Sequence, residues 1–303
     1  TEKVVLPILE ESGLRVGRDF YLAYSPERID PGNKDFTMRN TPVVVGGVTE
    51  KCTGMAELLY RKVLDKVFTV SSPRAAEMAK LLENIFRSVN IALVNELAKL
   101  CDRMGNVNVW EVIEAASTKP FGFMPFYPGP GIGGHCIPVD PYYLSWKARQ
   151  YDFHTNFIEL AAETNDDMPY FVANKVVEAL SSRGICASKA KVLLLGITFK
   201  EDVADLRNSP ALKVMKILKE RVLETGYNDP HVPDIDLDGT RYRSGDLKDW
   251  VGKADCVVIT TAHSVYDYLW IVKNAKLIVD TRNGTKGINS ENIVKIGGKE
   301  RIL

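Results

Sequence analysis

The sequence predicts an α/β protein in which two strand–helix alternating regions flank one long helix. Three observations predict it. Apolar, β-branched runs closed by glycine stand at residues 42–47 and 191–196. Each is followed by a helical pattern and a further apolar run, which is the alternation of a parallel sheet. Between the two regions, apolar residues keep helical spacing without a break over residues 72–105.

In the first region, residues 4–11 are expected to form a short helix ended by Gly13. Residues 20–24 and 42–47 are expected as strands, 50–63 as a helix and 67–70 as a third strand. That set is too small to be a complete sheet. The long helix carries Pro73 in its first turn and Gly105 just past its end, the usual asymmetry of helix termini. It would be roughly 45 Å long. Its apolar stripe (Met78, Leu81, Leu82, Ile85, Val89, Ala92, Leu93 and Leu97) predicts a partner along the helix, a second copy of the chain. Residues 109–116 are a further short helix. Residues 119–134 hold Gly, Pro and aromatic residues too densely for regular structure. Helix returns over 141–151 and 157–180. The last region starts near Lys189, with strands at 191–196, 255–261 and 277–280 and a helix at 210–223. It is Rossmann-like, yet GxGxxG is absent from it.

The chain has 303 residues, enough for two domains or one large and one partial domain. Hydrophobic content of 45% and charged content of 26% fit an ordinary globular protein. Cationic and anionic residues balance at 39 each, which argues against a dominant nucleic-acid surface while allowing a local basic pocket for a diphosphate. No apolar run approaches the roughly 20 residues that span a bilayer. Thr1-Glu2-Lys3-Val4-Val5 lacks the apolar core of a signal peptide. Five cysteines without a CxxC pair predict neither a disulfide framework nor structural zinc, and favour a reduced, cytoplasmic setting. The start on Thr1, directly into a helix, reads as a piece of a longer protein.

Cys136 is the strongest chemical candidate. It follows Gly129-Pro130-Gly131-Ile132-Gly133-Gly134-His135, a run that lets backbone approach a ligand closely. The helix expected from Pro141 would place its N-terminus near the thiol and favour thiolate. The alternative is a buried structural cysteine. Asp140 either orients a water or a cation, or caps that helix. Lys80 and Asn84 share a helix face and could stabilise an oxyanion, or lie on the surface. Glu27, after a strand, is a base or a loop charge paired with Arg28. Phe199 offers a ring and Lys200 a cation just past the Gly196 turn. Arg207 and Arg282 stand at similar loop ends. Phe121, Phe123, Phe126 and Tyr127 line a sugar, a subunit contact or a local core. The four histidines show no metal-ligand spacing, so no metal site is expected.

Taken in order, Ser25-Pro26-Glu27-Arg28 with Pro31-Gly32, Ala79-Lys80-Leu81-Leu82-Glu83-Asn84, residues 129–140, residues 196–200 with Asp205, Arg207, Ser209 and Pro210, Asp229-Pro230, and Asp280-Thr281-Arg282-Asn283 resemble the UDP-glucose/GDP-mannose dehydrogenase family. Gly133-Gly134-His135-Cys136-Ile137-Pro138-Val139-Asp140 resembles the branch acting on UDP-N-acetylhexosamines. The other branches usually carry Ser where His135 stands. The resemblance implies NAD-dependent oxidation of the sugar C6 alcohol to a carboxylate, with two NAD per turnover, through a thiohemiacetal and a thioester on Cys136. It implies that Lys80 and Asn84 hold the oxyanion, that Asp140 and Lys80 position water, and that Glu27 assists thioester hydrolysis. Phe199, Lys200 and Arg282 would bind the nucleotide diphosphate, Tyr127 and Gly133 the substrate, and Arg207 the NAD. It implies a homodimer through the long helix, and neither nucleic acid nor membrane as partner.

The implied domains are residues 1–72 as the tail of an NAD-binding domain, 73–183 as a central helical domain, and 184–303 as a UDP-sugar-binding Rossmann-like domain. The family's opening GxGxxG unit has no counterpart in this sequence, which predicts poor NAD binding by this chain alone. Two alternatives stand beside the enzyme: a dimeric UDP-sugar-binding fragment without turnover, and a UDP-glucose 6-dehydrogenase.

Overall fold

The structure is a computed structural model and describes residues 1–30, 32–33 and 35–298. Pro31 of the loop motif lies outside the described residues. The chain forms two compact units, Thr1–Ile85 and Phe86–Leu303.

The first unit holds α1 (Val5–Glu10), β1 (Ala23–Tyr24), β2 (Val43–Gly47), α2 (Glu50–Tyr60) and β3 (Val67–Val70). β2 and β3 pair in parallel, as the alternation predicts, but β1 runs antiparallel to β2. Only two residues of the apolar run 20–24 pair, because its start is taken up by the turn in which Gly17 N–H donates to the Phe20 carbonyl. Thr49 caps α2 by accepting the Cys52 N–H at 3.2 Å.

The helix α3 (Pro73–Met104) begins and ends where Pro73 and Gly105 place it. Its buried residues in the second unit are small or polar: Ser88, Ala92, Val94, Asn95, Ala98 and Cys101. The bulky apolar residues Leu93 and Leu97 are exposed instead. α4 (Val109–Ser117) follows, then an irregular stretch, α5 (Asp140–Ala148) and α6 (Asn156–Ser182).

The rest of the second unit is a doubly wound parallel sheet. Its strands are β4 (Lys191–Leu195), β5 (Glu224–Asn228), β8 (Cys256–Ile259), β9 (Ile278–Asp280) and β10 (Ile293–Lys295), in the order β10-β9-β8-β4-β5. A hairpin, β6 (Asp234–Leu237) and β7 (Thr240–Arg243), lies between β5 and β8. α7 (Pro210–Lys219), α8 (Leu247–Lys253) and α9 (Tyr268–Asn274) complete it. Successive strand residues bury on opposite faces. Val192, Leu194, Cys256 and Val258 join a core with α6 and α7, whereas Leu193, Leu195, Val257 and Ile259 join one with α8 and α9. With both faces covered, the strands are apolar throughout. α7 stops at Lys219 rather than 223, since the N–H groups of Arg221 and Val222 turn back onto the Leu218 carbonyl. That turn delivers Glu224 into β5.

The strand order reverses between β4 and β8, so the crevice outside their carboxyl ends is where a doubly wound sheet binds ligands. Residues 196–209 and 260–267 form its walls.

Candidate active site

The glycine loop is docked onto this crevice. Asn95 of α3 accepts the Gly129 N–H at 2.9 Å and donates to Asn165 Oδ1 of α6 at 2.9 Å. Asn165 in turn donates to the Ser88 carbonyl at 3.1 Å. Further along, the Gly134 N–H donates to the Arg207 carbonyl at 2.8 Å, and Asn208 Nδ2 donates to the Gly134 carbonyl at 2.9 Å. The glycines are required by contact. A Cβ on Gly133 would lie 2.5 Å from Phe199 Cβ, and one on Gly134 would meet the Phe199 ring at 3.2 Å. Gly131 and Gly134 also have φ of +129° and +92°, a region side chains disfavour.

Two residues past this clamp, Cys136 is exposed. The structure therefore removes the buried-cysteine alternative for this residue. Cys256 shows the contrast: it is fully enclosed, and burial pushes its thiol up to about 12. The Cys136 carbonyl accepts the N–H groups of Val139 and Asp140 at 3.0 and 2.8 Å, so the cysteine forms the turn that enters α5. Asp140 is the first residue of that helix and Val139 its cap, which corrects the capping alternative for Asp140. A carboxylate in the first turn is favoured by the helix dipole.

Arg207 is not a loose arm. Asp205 holds its guanidinium through Nε at 3.0 Å to both oxygens and Nη2 at 2.6 Å. That pairing raises the Arg207 pKa. The Phe199 ring rests against the glycine loop, and Lys200 follows it, half-buried. The Lys200 carbonyl accepts from Thr198 Oγ1 at 2.8 Å.

Arg282 faces the same loop from the end of β9. The buried Asp280 carboxylate accepts the N–H groups of Arg282, Gly284 and Thr285 and so fixes the turn. Arg282 Nε donates to the Thr260 carbonyl at 3.2 Å, and burial pushes its pKa down to about 10. Tyr127 stacks on Trp110 with ring centroids 6.1 Å apart and stays exposed. Phe126 meets Phe86 edge-on, whereas Phe121 and Phe123 are exposed and form no local core.

In the first unit, Lys80 is half-buried and Asn84 buried, one helical turn apart on α3. Glu27 is exposed, and its Oε1 accepts the Ile29 N–H at 2.6 Å. Arg28 pairs with Glu83 at 2.8 Å and not with Glu27, which corrects the loop-pair alternative. Ser25, Glu27, Arg28, Tyr60 and Leu64 border a cavity of about 250 Å³.

The sequence reading missed Asn95, Asn165 and Asn208, which hold the loop. Asn95 was detectable in principle, as a polar residue beside Val94 and Ala98 on a helix face that otherwise buries.

An exposed thiol just past a glycine loop, set against the crevice of a doubly wound parallel sheet, is the class of site the fold presents. Residues 74–167 match the UDP-glucose/GDP-mannose dehydrogenase family, central domain, and residues 193–287 match the same family's UDP binding domain. The chain is 36% identical over its whole length to UDP-N-acetyl-D-glucosamine 6-dehydrogenase of Pseudomonas aeruginosa, covering 67% of that protein. It is 40% identical to UDP-N-acetyl-D-mannosamine dehydrogenase of Pyrococcus horikoshii, with 93% of this chain and 66% of that one covered. A solved UDP-D-ManNAc dehydrogenase from Pyrococcus horikoshii superposes with a TM-score of 0.87 at 38% identity, over 98% of this chain and 69% of that one. An NDP-N-acetyl-D-galactosaminuronic acid dehydrogenase from Methanosarcina mazei gives 0.85 at 31% identity, over 99% and 67%. The chain belongs to the UDP-glucose/GDP-mannose dehydrogenase family. It spans about two thirds of the length of the relatives it matches. Among the described residues, no helix is long and apolar enough to cross a membrane.

Proposed function

We propose that the chain is the substrate-holding and nucleophilic part of a UDP-N-acetylhexosamine 6-dehydrogenase, with Cys136 as the covalent residue. The observation that carries this reading is an exposed cysteine two residues beyond a glycine loop clamped to the crevice by Asn208 and Arg207. The sugar C6 aldehyde is the electrophile. The Cys136 sulfur bonds to the aldehyde carbon while the carbonyl oxygen takes a proton, giving a thiohemiacetal. Were a hydride acceptor to oxidise the thiohemiacetal to a thioester, water adding to that carbon would break the C–S bond and release the thiol and a carboxylic acid. Arg207, whose carbonyl anchors Gly134, puts a cation beside the cysteine loop. Asp140 orients the attacking water. Arg282 and Lys200 supply cations to the diphosphate, with Phe199, Gly133 and Tyr127 shaping the substrate site. Lys80 and Asn84 as oxyanion donors, and Glu27 in hydrolysis, are assigned on family membership.

NAD, the family's hydride acceptor, finds no cradle among the described residues. The one strand–glycine–helix turn of the first unit is closed on itself. A Cβ on Gly46 would meet the Ser72 carbonyl oxygen at 2.1 Å, and the Gly47 N–H donates to Thr53 Oγ1 at 3.0 Å. No step is therefore derived through NAD. A second reading is a UDP-sugar-binding chain without turnover.

The test is incubation of the protein with a UDP-N-acetylhexosamine 6-aldehyde. A thiohemiacetal carbon resonance from the aldehyde labelled with carbon-13 at C6, seen by NMR, is expected as the adduct, with none in Cys136→Ala. An adduct that persists in Cys136→Ala would sink the nucleophile assignment. Binding of UDP-sugar without any adduct would support the binding-only reading. UDP-glucose 6-aldehyde tested alongside separates the two substrate classes.

A further inference from the structure

Three side chains outside the cysteine loop converge at the carboxyl ends of β4, β5 and β8. Asp202 leaves the loop after β4, His231 the turn after β5, and His263 the loop after β8. One ligand atom from each lies within 4.8 Å of the other two. His231 Nε2 is 4.0 Å and His263 Nδ1 3.8 Å from Asp202 Oδ1. The two rings meet edge-on with centroids 4.8 Å apart.

The hydrogen bonds settle which nitrogen of His263 faces the cluster. The Asp202 backbone N–H donates to His263 Nδ1 at 3.0 Å, so Nδ1 carries the lone pair. Nε2 carries the proton and donates it to Asp229 Oδ2 at 3.1 Å. Asp229 is buried and is itself fixed by the N–H groups of Ile197 and His231, at 2.7 and 2.8 Å. A carboxylate behind an imidazole, fixing its tautomer and turning its other nitrogen toward further donors, is the outer shell of metal-bound histidines. A second observation points the same way. His231 Nε2 is sealed from solvent and has no hydrogen-bond partner among the described residues. A buried polar nitrogen left unused in this way is costly. Asp202 also holds φ of +58°, an uncommon backbone for a side-chain residue, and one that recurs where a ligand is clamped.

We propose that Asp202, His231 and His263 bind one divalent transition-metal ion. Two imidazoles and one carboxylate suit zinc, cobalt or nickel rather than magnesium or calcium. Metal–ligand bonds of about 2.0–2.1 Å set neighbouring ligand atoms of a tetrahedral site about 3.4 Å apart, so the three loops close by about 1 Å on binding. His263 Nδ1 then exchanges the Asp202 N–H for the ion, His231 Nε2 gains its partner, and a fourth position stays open. The ion ties the loop that carries Phe199 and Lys200 to the turns after β5 and β8. The assignment stands on these three loops and does not depend on the reaction at Cys136.

The experiment is titration of the chelator-treated chain with cobalt(II) chloride alone, followed by visible absorption and melting temperature. Saturable d–d absorption at one ion per chain is expected, with a rise in melting temperature and displacement by zinc. His231→Gln and Asp202→Asn, both at positions reached by solvent, are expected to weaken binding by more than the roughly 10–100-fold that loss of an outer-shell partner costs. Their melting temperatures without metal report that they fold. Absence of saturable absorption would overturn the proposal. So would an unchanged titration in His231→Gln, an equal thermal shift from magnesium, or a thiolate charge-transfer band that places the ion on a cysteine.

Discussion

The Gly129 Cα faces the Arg282 guanidinium so closely that a Cβ would lie 2.4 Å from Nη1. Only a residue without a Cβ leaves the guanidinium room at this point of the loop.

Gly129→Ala tests this. The methyl group must displace Arg282, and overpacking of this kind costs about 1–3 kcal/mol. If Arg282 meets the diphosphate, UDP affinity falls by roughly tenfold or more, since about 1.4 kcal/mol is one decade. Calorimetry with UDP measures it. Unchanged affinity in a folded variant would remove Arg282 from the nucleotide site.

Asn95→Ala strips the other anchor of the same glycine. Gly129 N–H loses its acceptor, Asn165 Oδ1 loses its donor, and both are buried. Each orphaned group costs about 1–3 kcal/mol. Urea denaturation is expected to show the full loss. Asn90→Ala on the same helix, where the side chain only returns to its own Phe86 carbonyl, should stay within about 0.5 kcal/mol.

These anchors mark where sequence reading stops. The long helix, β2, β3 and β4 were legible because helical period and β-branched runs are local signals. β5 was not. Its run Glu224-Thr225-Gly226-Tyr227-Asn228 carries little alternation, and Gly226 is buried only because the Trp250 ring packs over it, 2.6 Å from where a Cβ would stand. The antiparallel sense of β1 is likewise decided by tertiary pairing. Cys136 stood out because its glycines are its neighbours in sequence. Asn95, Asn165 and Asn208 gave no such sign, since the backbone each one holds arrives from a distant segment. Asp202, His231 and His263 fit no metal spacing for the same reason: three loops supply one residue each.

Acid should loosen the Arg207 anchor at a predictable point. The hydrogen bonds from Arg207 hold the Asp205 carboxyl below its ordinary value. A depressed folded pKa contributes stability that is fully present above the unfolded value, about 3.9, and is lost as pH falls through the folded one. Melting temperature followed from pH 7 to pH 2 should therefore decline below about pH 4. Asp205→Asn should flatten part of that decline and be less stable at pH 7. An identical acid limb in the variant would show that the pair contributes nothing to it.

The long helix carries the last prediction. In the second unit Phe86, Leu93, Leu97, Leu100 and Met104 recur three, four or seven residues apart, and all are exposed. The residues this helix buries within its own chain are the small and polar ones, so the bulky stripe serves no core of a single copy. Such spacing is the seam of a helix packed against a helix, and a second copy of the same helix satisfies it with identical surfaces about a two-fold axis. Leu93→Glu with Leu100→Glu places two charges in that seam. The protein is expected to sediment as a dimer and the variant as a monomer with an unchanged circular dichroism spectrum. The seam is the wrong surface if the variant remains a dimer, because two desolvated carboxylates per copy cannot be carried at an interface centre without partners.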